Sequence, residues 1–381
     1  MEFLSYEYLR LAWWIIIGVL WIGFALTEGF DMGVAMILPF VGKTDEERRI
    51  AINAIAPHWD GNQVWMILAA GALFAAWPTL YATAFSAMYL ALLILLFSLF
   101  LRPVGFDYRS KLPSQKWRNF WDWALFIPGV IPPLIFGVGM GNLFLGIGFE
   151  YDDQMRSTFD TSFFQLLHPF AVVAGLLAIA LFIMHGASYL MLRSEGAVHE
   201  RSREFLRVAA MAVMVIFAIE GVWLWLGIDG YLISSNLDIA AASNPLNKTV
   251  VVGEVSWLHN YTVHPLFVIA PLLGFGGAMI ALLMGKAEKP VLAFYGSSLS
   301  MIGIILTAGF SLFPFIFPSS LNPDHSLTMW DATSSELTLN IMFWASFIFV
   351  PLILAYTSWC YKVMWGKQTI ESIRENDHSL Y

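Results

Sequence analysis

Cysteine occurs once, at Cys360, so the chain can form no internal disulfide and no four-thiolate cluster. Charge is scarce. Asp, Glu, Lys and Arg make up 13% of the 381 residues, against about 25% in a soluble domain. None of the eight histidines lies three or four residues from another, and no H-E-x-x-H occurs. His168 and His264 each precede a proline at the start of an expected helix, which makes them weak candidates for axial ligands. No Gly-rich phosphate loop follows a strand, since the pattern predicts no strands. Low-complexity segments and short-period repeats are also missing. Nucleic-acid binding has no support. No basic leader or A-x-A-like site precedes the first apolar stretch, so no cleaved signal peptide is expected.

Apolar sequence is what remains. The chain is 58% hydrophobic, with a mean hydropathy of +0.68. Runs of about 20 apolar residues recur, each long enough to cross a hydrocarbon core of about 30 Å. In lipid every backbone polar group needs an internal partner, and runs this long satisfy that as helices. The expected fold is therefore an all-α polytopic membrane bundle, one transmembrane domain over 1–381. Nine helices are expected, at 11–40, 58–77, 79–101, 121–145, 163–192, 208–226, 264–284, 291–315 and 337–364. Thr44 and Glu47 form a capping box that opens a short polar helix, which Pro57 should stop.

Nine crossings put the termini on opposite sides, and the cations choose the orientation. With the N-terminus outside, seventeen of the twenty Lys and Arg fall in cytoplasmic loops; only Arg10, Arg156 and Lys248 lie outside. Trp13, Trp14, Trp77, Trp121, Trp123 and Trp257 lie near helix ends and fit interfacial anchoring.

This topology sets the depth of the charged residues. Glu28 and Asp31 are three apart on one face of the first helix, toward its cytoplasmic end. Asp60 opens the second helix and Arg102 ends the third, at similar depth. An acid at the edge of hydrocarbon costs a few kcal/mol, so Asp60 reads as functional, a receiver of cytoplasmic protons. Glu28, Asp31 and Arg102 read equally as a proton path or as structural ion pairs, with Arg102 on Asp31 or on Glu28. In that structural alternative Asp60 is held by the helix N-terminus. His58 reads as an interfacial, hydrogen-bonded histidine. Glu220, in the outer half of the sixth helix, reads as a local polar contact. The acids also admit a proton-coupled transporter built on Glu28, Asp31 and Asp60, although such a site belongs near the midplane. A purely structural scaffold is the third possibility.

The stretch Ala56-Pro57-His58-Trp59-Asp60-Gly61-Asn62-Gln63-Val64-Trp65 resembles subunit II of the bacterial cytochrome bd ubiquinol oxidases. So do 27–33, 72–78, 102–111, 242–248, 327–335 and the terminal His378-Ser379-Leu380-Tyr381. The resemblance runs over essentially the full length. It implies two four-helix bundles, at about 8–145 and 163–316, and a ninth helix at 337–364. It also implies a homologous larger subunit I holding two b-type haems and one d-type haem, with no axial ligand in this chain. The complex so implied oxidises quinol, reduces O2 to water, and sits in the bacterial inner membrane. Small single-helix subunits and a structural ubiquinone accompany some members. By the same resemblance Asp60 belongs to a cytoplasmic proton path leading into the partner. Trp65 lies near the lipid-facing mouth of an O2 route. Glu28 stands where the family often has Asp, which lengthens the reach of the carboxylate and leaves its partner open.

Overall fold

The structure, a computed structural model, describes residues 4–375 and 381. Residues 378–380 of the terminal motif lie outside the described residues. Helix α1 spans Tyr6–Val41, about 54 Å at 1.5 Å per residue. Helix α2 (Asp45–Ile55) opens on the expected capping box: Thr44 Oγ1 accepts from Glu47 N, and Glu47 Oε2 accepts from Thr44 N. The chain turns through Pro57 into α3 (Trp59–Ala76). The expected third helix is two helices, α4 (Pro78–Ala87) and α5 (Tyr89–Arg109), parted at Met88.

Helix α6 (Gln115–Leu145) keeps Pro128, Pro132 and Pro133 in its interior. Strands β1 (Phe149–Tyr151) and β2 (Ser157–Phe159) form a hairpin before α7 (Pro169–Arg193). Helix α8 (Gly196–Gly227) starts twelve residues ahead of the apolar run. Its first turns are held by helical ion pairs, Glu200–Arg203 and Glu204–Arg207. Strands β3 (Asp229–Ile233) and β4 (Val250–Ser256) pair next. Helices α9 (Asn260–Val263), α10 (Ile269–Lys286) and α11 (Pro290–Leu312) follow. A last hairpin, β5 (Phe315–Phe317) with β6 (Leu327–Thr328), leads to α12 (Glu336–Val363) and α13 (Ile370–Glu375). The three hairpins correct the expectation of no strands. All lie between helices at one end of the molecule, where β-branched alternation such as Val250-Val251-Val252 outweighs helix formation.

Among the described residues, eight helices are long and apolar enough to cross a membrane: α1, α5, α6, α7, α8, α10 with the turn before it, α11 and α12. Helix α3 has 18 residues but carries Asp60, Asn62 and Gln63 in its first two turns. Helix α1 packs against α3, α6, α7 and α11, whereas α12 lies mainly against α1 and α3. Only Leu339 of α12 is buried.

Membrane helices gain little from apolar burial against one another, so close approach depends on small side chains. A Cβ on Gly33 would stand 2.9 Å from the Gly186 Cα; α1 and α7 therefore cross backbone to backbone. A Cβ on Gly277 would stand 2.7 Å from the Ser300 Cα, so α10 and α11 meet in the same way.

The two ends are sewn by charge. At the basic end, buried Asp122 of α6 takes Arg109 Nε at 2.5 Å and Arg48 Nη1 at 2.7 Å. At the hairpin end, Arg10 is fully buried without an acid. It donates to Ile239 O, Ala241 O, Ser243 Oγ and Thr333 Oγ1 and lies over the Tyr6 ring. Lys248 Nζ meets Asp331 Oδ2 at 2.8 Å, joining two of the motifs singled out by resemblance. Burial pulls the Lys248 ammonium down from its ordinary value, and Asp331 opposes the shift.

The tryptophans need a correction. Trp13, Trp77, Trp121 and Trp257 are at most 8% exposed. Trp13 Nε1 donates to Leu339 O and Trp257 Nε1 to Phe144 O. They pack helix ends together, and of the six only Trp123 is exposed.

Replacing Gly186 by leucine should cost more than about 3 kcal/mol, because backbone atoms stand where the side chain would go. Gly18→Leu, whose Cβ meets nothing within 4 Å, should be tolerated. The measurement is the thermal midpoint of the detergent-extracted protein; equal midpoints would contradict this packing.

Candidate functional site

The second half of α1 is buried on every side, and Glu28 and Asp31 are both 0% exposed. Of the two alternatives, Arg102 takes Glu28: its Nη1 pairs with Glu28 Oε1, and both side chains are buried. The guanidinium also lies 5.3 Å from the Trp59 ring, and Phe106 stacks on that indole at 5.0 Å.

Asp31 finds a different partner. Asn62, one turn into α3, donates its Nδ2 to Asp31 Oδ2 at 2.7 Å. The Asn62 Oδ1 in turn accepts from the Tyr361 hydroxyl at 2.7 Å. His58 lies flat against the Tyr361 ring, 4.0 Å between centroids. Among the described residues, Glu28 Oε2, Asp31 Oδ1, Arg102 Nη2 and His58 Nε2 are buried without a hydrogen-bond partner.

Asp60 is elsewhere. It is exposed in the first turn of α3, on an outer face shared with Val64, Ile67 and Phe74. The structure thus brings Glu28 to Arg102 and Asp31 to Asn62, and turns Asp60 outward. Trp65 is 7% exposed, inserted between α3 and α1; a Cβ on Gly23 would stand 3.0 Å from its ring.

Two expectations fail. His58 is 5% exposed and stacked, with Nε2 unpartnered, because the turn at Pro57 folds it under α12 and not toward an interface. Glu220 makes no local polar contact: its Oε1 is buried without a partner on an α8 face of apolar neighbours.

Asn62, Tyr361 and His185 were not singled out by sequence. Asn62 lies inside the motif around Asp60, so its position was a signal. Tyr361 lies 299 residues further on, in the last turn of an apolar helix, and no local pattern points to it. His185 is fully buried on α7, with Nδ1 2.8 Å from Ser297 Oγ and Nε2 2.9 Å from Leu26 O.

The family model for cytochrome bd terminal oxidase subunit II matches residues 9–364. The chain belongs to that family. It is 52% identical to the cytochrome bd-I ubiquinol oxidase subunit 2 of Escherichia coli K12, over 99% of this chain and 100% of the relative. It is 46% identical to a probable cytochrome oxidase subunit 2 of Haemophilus influenzae, over 99% and 100%. The cytochrome bd ubiquinol oxidase subunit 2 of Bacillus subtilis is 30% identical over 92% and 94%. The fold is that of a chain in the bd oxidase structure from Geobacillus thermodenitrificans, with a TM-score of 0.70 at 14% identity over 93% and 98%. A subunit II of this family is a membrane-embedded part of a respiratory quinol oxidase and works with a partner subunit. The transporter alternative gains no support.

The complex is haem-based, so the donor set of this chain was tested for a haem. His185 has both ring nitrogens engaged. His168 Nδ1 caps α7 by accepting from Phe170 N, and His264 packs against Phe267. His199 Nδ1 is bonded to Met191 O, and His325 Nδ1 accepts from Tyr151 N. Among the described residues no three His, Cys, Asp or Glu gather as a metal site. These side chains do not fit an axial pair.

Removing one member of a buried ion pair leaves the other charge uncompensated, at a cost of about 3–5 kcal/mol. Arg102→Met should therefore destabilise more than the double variant Glu28→Gln/Arg102→Met. Thermal midpoints of the three proteins check this; additive losses would sink it.

Proposed function

We propose that this chain is the haem-free subunit of a bd-type quinol:O2 oxidoreductase, and that it forms part of the cytoplasmic proton path and of the O2 access route. Subunit I would carry two b-type haems and one d-type haem. The chain would cross the bacterial inner membrane nine times, α3 included, as two four-helix bundles and a peripheral α12. The N-terminus lies outside and the basic end faces the cytoplasm. The seventeen cations grouped at that end support this orientation. Small single-helix subunits and a ubiquinone belong to the same reading.

One observation carries the proton path: Asp60 is exposed on a face that is otherwise apolar. A carboxylate there is costly against lipid, and the cost is relieved if the face meets a polar seam of the partner. In this reading Asp60 receives protons at the cytoplasmic rim. Glu28, Asp31 and Arg102 line the inner side of the same rim. Trp65, wedged against Gly23, borders the O2 route.

In the assembled complex, Asp60→Asn should slow quinol-driven O2 consumption by at least about tenfold while the haem spectrum stays unchanged. Full turnover in that variant would return Asp60 to a structural role, as the scaffold alternative requires. Expressed without subunit I, the chain should purify without a Soret band; a stoichiometric band would defeat the haem-free assignment.

A further inference from the structure

A second polar group lies at the end of α7. Arg193, in the last turn of α7, is 1% exposed and has no carboxylate partner among the described residues. It lies between the rings of Tyr189 and Trp365, 6.0 and 5.1 Å away, and Nη2 donates to Met364 O at 3.2 Å. Its Nε and Nη1 are buried and unpartnered. An aromatic wall joins it to Asp31: Tyr189 stacks on Phe30 at 3.9 Å, and Phe30 meets the Tyr361 ring at 6.4 Å. The Tyr361 hydroxyl reaches Asp31 through Asn62, and His58 closes the other side of that ring. One buried acid, one buried guanidinium and one buried imidazole thus share a wall, each with an unpartnered atom. Buried polar groups are satisfied by protein or by ordered water, and a water needs two to four such partners.

We infer that Asp31, His58 and Arg193 share an enclosed cluster of ordered water, and that the Tyr361 hydroxyl, acting through Asn62, positions Asp31 to hold one proton drawn from it. Loading breaks an O–H bond of a protonated water in the cluster and forms one at Asp31 Oδ1, leaving a neutral water behind. Discharge is the reverse, and no electrons move. Arg193 offsets the charge whenever Asp31 is ionised. Tyr361 keeps its own hydrogen and is a positioning residue. The inference rests on the reading of this chain as a proton carrier, and it adds a storage point away from the exposed face of α3.

The test uses the assembled oxidase. Infrared difference spectra during turnover should show the carbonyl band of a protonated carboxyl that moves in D2O and disappears in Asp31→Asn. Tyr361→Phe keeps the ring against His58 but removes the hydroxyl. It should shift the band, lower O2 consumption by up to about tenfold, and change the solvent isotope effect, with haem content intact. Tyr361→Phe with unchanged rate, band and isotope effect overturns the inference, as does a band that survives in Asp31→Asn. If Asp31→Asn fails to assemble, the D2O shift and Tyr361→Phe decide alone. A silent Asp60→Asn beside a responsive Tyr361→Phe would defeat uptake at Asp60 and leave the storage point standing. The opposite pattern would defeat the storage point only.

Discussion

The backbones of α1 and α7 touch where Gly33 meets Gly186, and the polar interior is arranged around that crossing. Two helices in lipid have no hydrophobic gain to draw them together, so contact has to come from close packing and hydrogen bonds. Glycine on both sides permits it. The crossing fixes Glu28 and Asp31, within a turn and a half of Gly33, near His185 and Tyr189. His185 then completes the seam by bonding Leu26 O from one ring nitrogen and Ser297 Oγ from the other. The result is a closely packed framework of three helices, α1, α7 and α11, against which α3 and α12 present their polar groups.

Glu28 and Asp31 are alike in chemistry and burial, yet they are compensated differently. Glu28 has the longer side chain and meets a guanidinium. Attraction between charges is strong in a low dielectric, but desolvating both members cancels much of it. Its net effect is orientation: Arg102 is fixed between Glu28 and the Trp59 face. Asp31 meets only the amide of Asn62, which donates without carrying charge. Asp60 has neither arrangement, because it is exposed on the outer face of α3.

Much of the architecture was legible in advance. Apolar runs located the apolar parts of the long helices, although α5, α6 and α8 extend six to twelve residues beyond them, and Thr44 with Glu47 announced the start of α2. The departures have physical causes. Polar helix such as 196–207 carries no apolar run, so α8 was read short. Tryptophans near helix ends fit interfacial anchoring by position, but the ends that carry Trp13, Trp77, Trp121 and Trp257 are packed inside the protein. The hairpins came from short segments whose strand character shows only when they pair. At the site, the depth shared by Glu28, Asp31 and Arg102 followed from counting helices, whereas the choice of Glu28 over Asp31 by Arg102 did not.

What the sequence determined alone is the kind of molecule: an apolar, cysteine-poor helical chain with its cations gathered at one end, bearing the motifs of its family. Those properties depend on composition and on spacing along the chain, and both are local. Tertiary structure alone decided who meets whom: Tyr361 with Asn62, Arg193 with the rings of Tyr189 and Trp365, and Asp60 with no polar partner among the described residues. Such contacts join residues hundreds of positions apart. They depend on helix rotation and crossing geometry, which small differences in side-chain volume set and no linear pattern records.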